Sequence, residues 1–97
     1  MIAEILNTGA DNALTGRHLC KTLGISIRDL SAAVERERRE GKPICANVAP
    51  PFGYYLASSR AEMETYCKSL AHRAREICVT RQACMKTLND LPENGGT

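Results

Sequence analysis

The chain has 97 residues, 43% of them hydrophobic and 25% charged, with thirteen Lys and Arg against eleven Asp and Glu for a net charge of +2. That length supports one domain with a modest core, and the composition is that of an ordinary globular protein rather than a disordered or fibrous one. No apolar run approaches the ~18 residues of a membrane span and the N-terminus lacks the basic-then-apolar pattern of a secretory signal, so the expected compartment is the cytoplasm.

From the start, Ile2, Ile5 and Leu6 fall at helical spacing, which predicts a first helix within Met1 to Asn7 that closes a three-helix core. Gly9 to Asn12 reads as a loop. Thr15 can cap a second helix, in which Leu19, Cys20 and Leu23 share a face and Arg17, His18 and Lys21 lie on the other; Gly24 ends it. After a Gly-Ile-Ser turn, Ser26 caps a third helix with Asp29 in the capping-box position, and Ile27, Leu30, Ala33 and Val34 form its apolar stripe before Gly41. Two short helices so joined form a helix-turn-helix. Pro43 to Val48 and Tyr54 to Leu56 lean to strand, and Ala49 to Gly53 between them is turn chemistry, so a hairpin follows.

The segment LTGRHLCKTLGISIRDLSAAVERERREGKPI followed by FGYYL resembles the winged helix-turn-helix of biotin-operon-repressor type and of small phage and prophage DNA-binding proteins. The resemblance rests on Leu19, Leu23, Gly24, Ser26, Leu30, Val34, Gly41 and the return strand Gly53-Tyr54-Tyr55-Leu56, and covers roughly residues 1 to 57. It implies that Leu14 adds a short third strand to the wing sheet. It also implies that the third helix turns Ser26, Ile27, Arg28, Ser31, Ala32 and Glu35 toward a DNA major groove. With phosphate contacts from Arg17 and Lys21, further charge from Arg36 and a wing contact through Asn47, the expected DNA-binding set is Arg17, Lys21, Ser26, Arg28, Ser31, Ala32, Arg36 and Asn47.

Two features depart from the family. Glu37 stands where the stripe of Leu30 and Val34 continues and the family usually has leucine. A carboxylate there needs a partner, so either the third helix leaves the core early or Glu37 pairs with an arginine of the C-terminal helix. The wing turn holds Pro50, Pro51 and Phe52 but no Lys or Arg, which suits a stiff apolar contact with a protein as well as a DNA contact.

From Ser59, which forms a second capping box with Glu62, no Gly or Pro interrupts until Pro92, so one helix of about 30 residues is expected. Met63, Cys67, Leu70, Ala74, Ile77, Arg81, Cys84, Leu88 and Leu91 alternate at spacings of four and three, a heptad seam with one polar break. Such a helix spans ~45 Å, and a domain of this size only about 25 to 30 Å. Its second half therefore calls for a cover: a symmetric partner seated on Ile77, Arg81, Cys84, Leu88 and Leu91, or a bend near Val79-Thr80 that folds the helix back on itself.

The five cysteines, Cys20, Cys45, Cys67, Cys78 and Cys84, are odd in number and form no C-x-x-C pair, which favours reduced thiols over a disulfide or zinc framework. His18 has no companion at metal-ligand spacing, and no nucleophile-base pair, paired carboxylates or glycine-rich phosphate loop is present, so neither an enzyme nor a bound cofactor or metal is expected. The fold class is thus mainly α with a small β-hairpin, a winged helix-turn-helix in 1-57, a long C-terminal helix in 58-91 and a tail in 92-97. The expected function is a DNA-binding regulator of transcription or of phage and prophage replication, acting on double-stranded DNA as a homodimer, with no membrane or small-molecule substrate. The alternative is a winged-helix protein-protein interaction module that does not bind DNA.

Overall fold

A computed structural model describes residues 1–93 and is mainly helical, with a small antiparallel hairpin and a long C-terminal helix. Helices α1 (Gly16–Leu23) and α2 (Ile27–Arg39) are followed by strands β1 (Ile44–Asn47) and β2 (Gly53–Leu56) and by α3 (Arg60–Asp90). The caps lie where the sequence puts them. Thr15 Oγ1 accepts from the His18 N–H at 3.1 Å, Ser26 Oγ from the Asp29 N–H at 3.0 Å, and Ser59 Oγ from the Glu62 N–H at 3.2 Å. Gly24 ends α1 in the left-handed conformation.

The expected first helix is absent; Ala3–Ile5 forms a single 3-10 turn, and a second covers Ala10–Asn12. Backbone demand elsewhere explains the difference. The N–H groups of Ile2 and Ala3 are held by the Glu37 carboxylate, at 2.8 and 2.9 Å, and the chain then runs extended beside β2. There the Leu56 N–H donates to the Asn7 carbonyl and the Gly9 N–H to the Leu56 carbonyl, both at 2.8 Å. Residues 6 to 9 thus exchange helical bonds for bonds to the hairpin, while Ile2 and Leu6 still reach the core.

Leu14 makes the expected third-strand contact as an isolated bridge to Tyr54, with both bonds formed. A side chain at Gly53 would collide with the Leu14 carbonyl, and its φ of +135° is a conformation L residues rarely adopt, so glycine is required there.

Two clusters make up the interior. Ile2, Leu6, Leu19, Leu30, Ala33, Val34 and Ile44 form the larger one, joining the N-terminal segment, α1, α2 and β1. Cys45, Tyr55 and Tyr66 form the smaller, with Met63 packed against it. The first two turns of α3 therefore belong with residues 1–66 as one compact unit, and the domain boundary lies inside α3 rather than at residue 57. Glu62 secures that join: its carboxylate accepts from Ser58 N–H at 2.8 Å, Ser58 Oγ at 2.9 Å and Ala10 N–H at 3.0 Å.

The described residues from 67 onward form the second unit. Its helix is unbroken through Val79 and Thr80, so the fold-back into a helical hairpin does not occur. Every described residue from 71 onward is exposed. Part of the tail expected at 92-97, residues 94 to 97, lies outside the described residues.

Candidate nucleic-acid interface

The helix pair is set rigidly before any ligand is considered. Gly16 opens α1 where a Cβ would come within 3.1 Å of Ile27 Cδ1 and 3.7 Å of Leu30 Cδ2, so its lack of a side chain lets the two helices start close together. Leu19 from α1 and Leu30 and Val34 from α2 are buried beneath them. Outward, Arg17, His18 and Lys21 of α1 and Arg28, Ser31, Ala32 and Arg36 of α2 are exposed, as is the cap residue Ser26. The Ser26 oxygen already accepts the helix-capping bond, which leaves its hydroxyl proton free to donate.

Counter-charges thin this surface. Asp29 and Glu35 are exposed on the same helix, and Glu35 lies 3.9 Å from Arg39 one turn on. Arg38 leaves it altogether: its Nε donates to the Ile44 carbonyl at 2.9 Å, and its guanidinium carbon lies 4.9 Å from the centre of the Tyr66 ring. A cation over an aromatic face is attracted by the ring quadrupole, so Arg38 ties α2 to β1 and to the first turns of α3. Tyr66 stands one turn past Met63 on the inward face of α3, which brings its ring under Arg38.

Glu37 is the one buried charged residue among those described, 3% exposed, and neither expectation holds for it: it does not leave the core, and it does not pair with an arginine of the C-terminal helix. Both carboxylate oxygens are taken by the backbone N–H groups of Ile2 and Ala3, with the Met1 amino group 3.4 Å away. Burial works against ionisation, but the bonds from Ala3 and Ile2 and the nearby amino group outweigh it and hold the Glu37 carboxyl below its ordinary value. α2 thus stays on the core through its last turn, and the family's leucine position serves as a clamp on the N-terminal segment. Glu62 is likewise held low by the backbone bonds of Ser58 and Ala10.

Asn47, expected as a wing contact, is turned inward. Its side-chain amide donates to the Pro51 carbonyl at 2.7 Å and to the Ala10 carbonyl at 2.8 Å, which stiffens the wing and leaves only its oxygen for a ligand. Val48, Pro50, Pro51 and Phe52 are exposed at the tip.

The seam residues Ile77, Arg81, Cys84 and Leu88 of α3 and Leu91 just past its end are all exposed, Ile77 by 68% and Leu88 by 58%. Thr80, Ala83, Cys84, Thr87, Leu88 and Leu91 line a shallow apolar depression along this face. Among the described residues no group of His, Cys, Asp or Glu could hold a metal ion, and no helix is long and apolar enough to cross a membrane.

Compared with known protein families, with curated proteins and with solved structures, the chain finds no match.

Proposed function

We propose that the chain is a DNA-binding regulator of the winged helix-turn-helix kind, acting in the cytoplasm on transcription or on phage or prophage replication, with α2 as its reading helix. The observation that carries this reading is that Arg17 and Lys21 of α1, the cap residue Ser26, and Arg28, Ser31, Ala32 and Arg36 of α2 are all exposed on two helices packed over one core. Arg28, in the first turn of α2, is the strongest candidate for contact with a base edge, because a guanidinium can bond guanine through two parallel donors. Arg17 and Lys21, both exposed cations, suit contacts to phosphates, which position the helix without selecting sequence. The chain dimerises through Ile77, Arg81, Cys84, Leu88 and Leu91, so that two reading helices serve a palindromic site.

The test is substitution with duplex binding as readout. Arg28→Ala is expected to weaken the preferred site by about 1 to 3 kcal/mol and to relax discrimination at one position, while Arg17→Ala and Lys21→Ala weaken all duplexes alike. Unchanged affinity in all three overturns the reading.

A second reading is favoured by one observation. The wing tip exposes Val48 and Phe52, the latter by 58%, without a Lys or Arg in the turn. A stiff apolar tip suits an anchor in a pocket of a protein partner, and that reading requires Phe52→Ser to abolish capture of the partner while the three cationic substitutions leave it intact.

A further inference from the structure

We infer that the second copy covering the exposed seam of α3 lies antiparallel to it. The inference rests on the dimer reading above and adds its direction.

The seam needs a long, straight apolar cover. Ile77, Cys84, Leu88 and Leu91 recur at the spacing that keeps one stripe facing a partner helix, and the stripe continues back through Ala74, Leu70 and Cys67, all exposed. The same stripe of a second copy matches it in length and apolar character, and a two-fold axis makes the contact self-complementary.

Charge decides the direction. Between Cys67 and Arg81 the helix carries Lys68, Arg73, Arg75 and Arg81 against Glu76; after Arg81 it carries Lys86 against Asp90, and Glu93 follows just past its end. A parallel, in-register pair would set Arg81 against Arg81 at the seam and the cationic stretch of one helix beside that of the other. Reversal removes both conflicts. Successive seam positions then alternate across the interface, so Arg81 meets an Ile77 or a Cys84 of the second copy, and the cationic stretch lies alongside a stretch in which Asp90 offsets Lys86 instead of alongside a second cationic one. Arg81 reaches solvent along its own aliphatic stem, with Thr80 beside it on the rim. The repulsion that breaks a parallel pair is what selects the antiparallel one.

Two measurements test the direction. The first uses the variant Cys20→Ser, Cys78→Ser, Cys84→Ala, which leaves Cys67 exposed and Cys45 fully buried, so that a nitroxide attaches at Cys67 alone. With ~1.5 Å per helical residue, the run from Cys67 to Leu91 is about 36 Å long. Antiparallel pairing separates the two labels by at least about 35 Å in a pulsed dipolar measurement, and parallel pairing brings them within ~15 Å. The second uses the unaltered chain. Opposite charges across the interface make the dimer dissociation constant rise severalfold between 50 and 300 mM salt, whereas like charges make it fall. A short label distance, or tighter pairing at high salt, overturns the antiparallel arrangement while leaving the dimer standing. A monomer mass by light scattering at tens of micromolar overturns the dimer and this inference with it.

Discussion

Residues 1–66 and residues 67–93 are built from the same kinds of side chain and reach opposite ends of the scale of self-sufficiency. In the first unit Leu19 of α1 and Leu30, Ala33 and Val34 of α2 are covered by chain from elsewhere in the same unit, Ile27 at the start of the α2 stripe stays exposed, and the one buried carboxylate, Glu37, has both oxygens bonded. In the second, a stripe of comparable apolar character is exposed along its whole described length from residue 71. A heptad stripe and a domain-facing stripe look alike in sequence. What separates them is whether other chain is available to cover them, and 31 residues of uninterrupted helix outrun the supply.

The contrast is broken most sharply by shortening one leucine in each unit. Leu30→Ala removes a fully buried side chain and is expected to cost the first unit about 2 to 5 kcal/mol in a denaturant titration. Leu88→Ala, followed at nanomolar concentration where any pair has dissociated, should leave that unfolding unmoved. Equal costs for the two would erase the distinction between the units.

A smaller effect sharpens the account of Glu37. Its carboxyl is held low in the folded chain, so its stabilising contribution is complete above the ordinary carboxylate range and is lost as pH falls through the depressed folded value. Glu37→Gln replaces one of the two accepting oxygens by a donor and should destabilise the first unit by about 1 to 3 kcal/mol at neutral pH. That difference should shrink as the pH is lowered, because the unaltered chain is losing the same advantage. A gap that stays constant down to acid pH would assign the effect to packing instead of to charge.

Sequence revealed the local features and missed the ones made by distant backbone. The caps at Thr15, Ser26 and Ser59 and the stops at Gly24 and Gly41 involve residues within one turn of each other, so their chemistry is complete in a short window. The hairpin was legible for a similar reason, through its turn residues, whereas the contact of Leu14 was implied only by the resemblance to winged helix-turn-helix proteins. Glu37 was legible as a problem but not as a solution, because its partners are the main chain of Ile2 and Ala3, and no side-chain pattern announces a backbone N–H. Distant backbone also accounts for the missing first helix: Ile2 and Leu6 had the spacing, but the hairpin competed for the hydrogen bonds of residues 6 to 9. In the candidate interface, Arg17, Lys21, Arg28, Ser31, Ala32 and Arg36 are exposed as expected, whereas Asn47 and Arg38 were drawn inward by carbonyls and by an aromatic ring that sequence distance concealed.

The most direct measurement joins the two units: affinity for duplex DNA as a function of salt, for the unaltered chain and for Leu88→Glu. Each phosphate neutralised by Arg or Lys releases a counterion, so the slope of log affinity against log salt counts phosphate contacts. The expected result is a negative slope for the unaltered chain and a slope of about half that size for Leu88→Glu, one reading helix in place of two. Affinity that is undetectable at low salt, or that does not change between 50 and 200 mM, would contradict DNA binding.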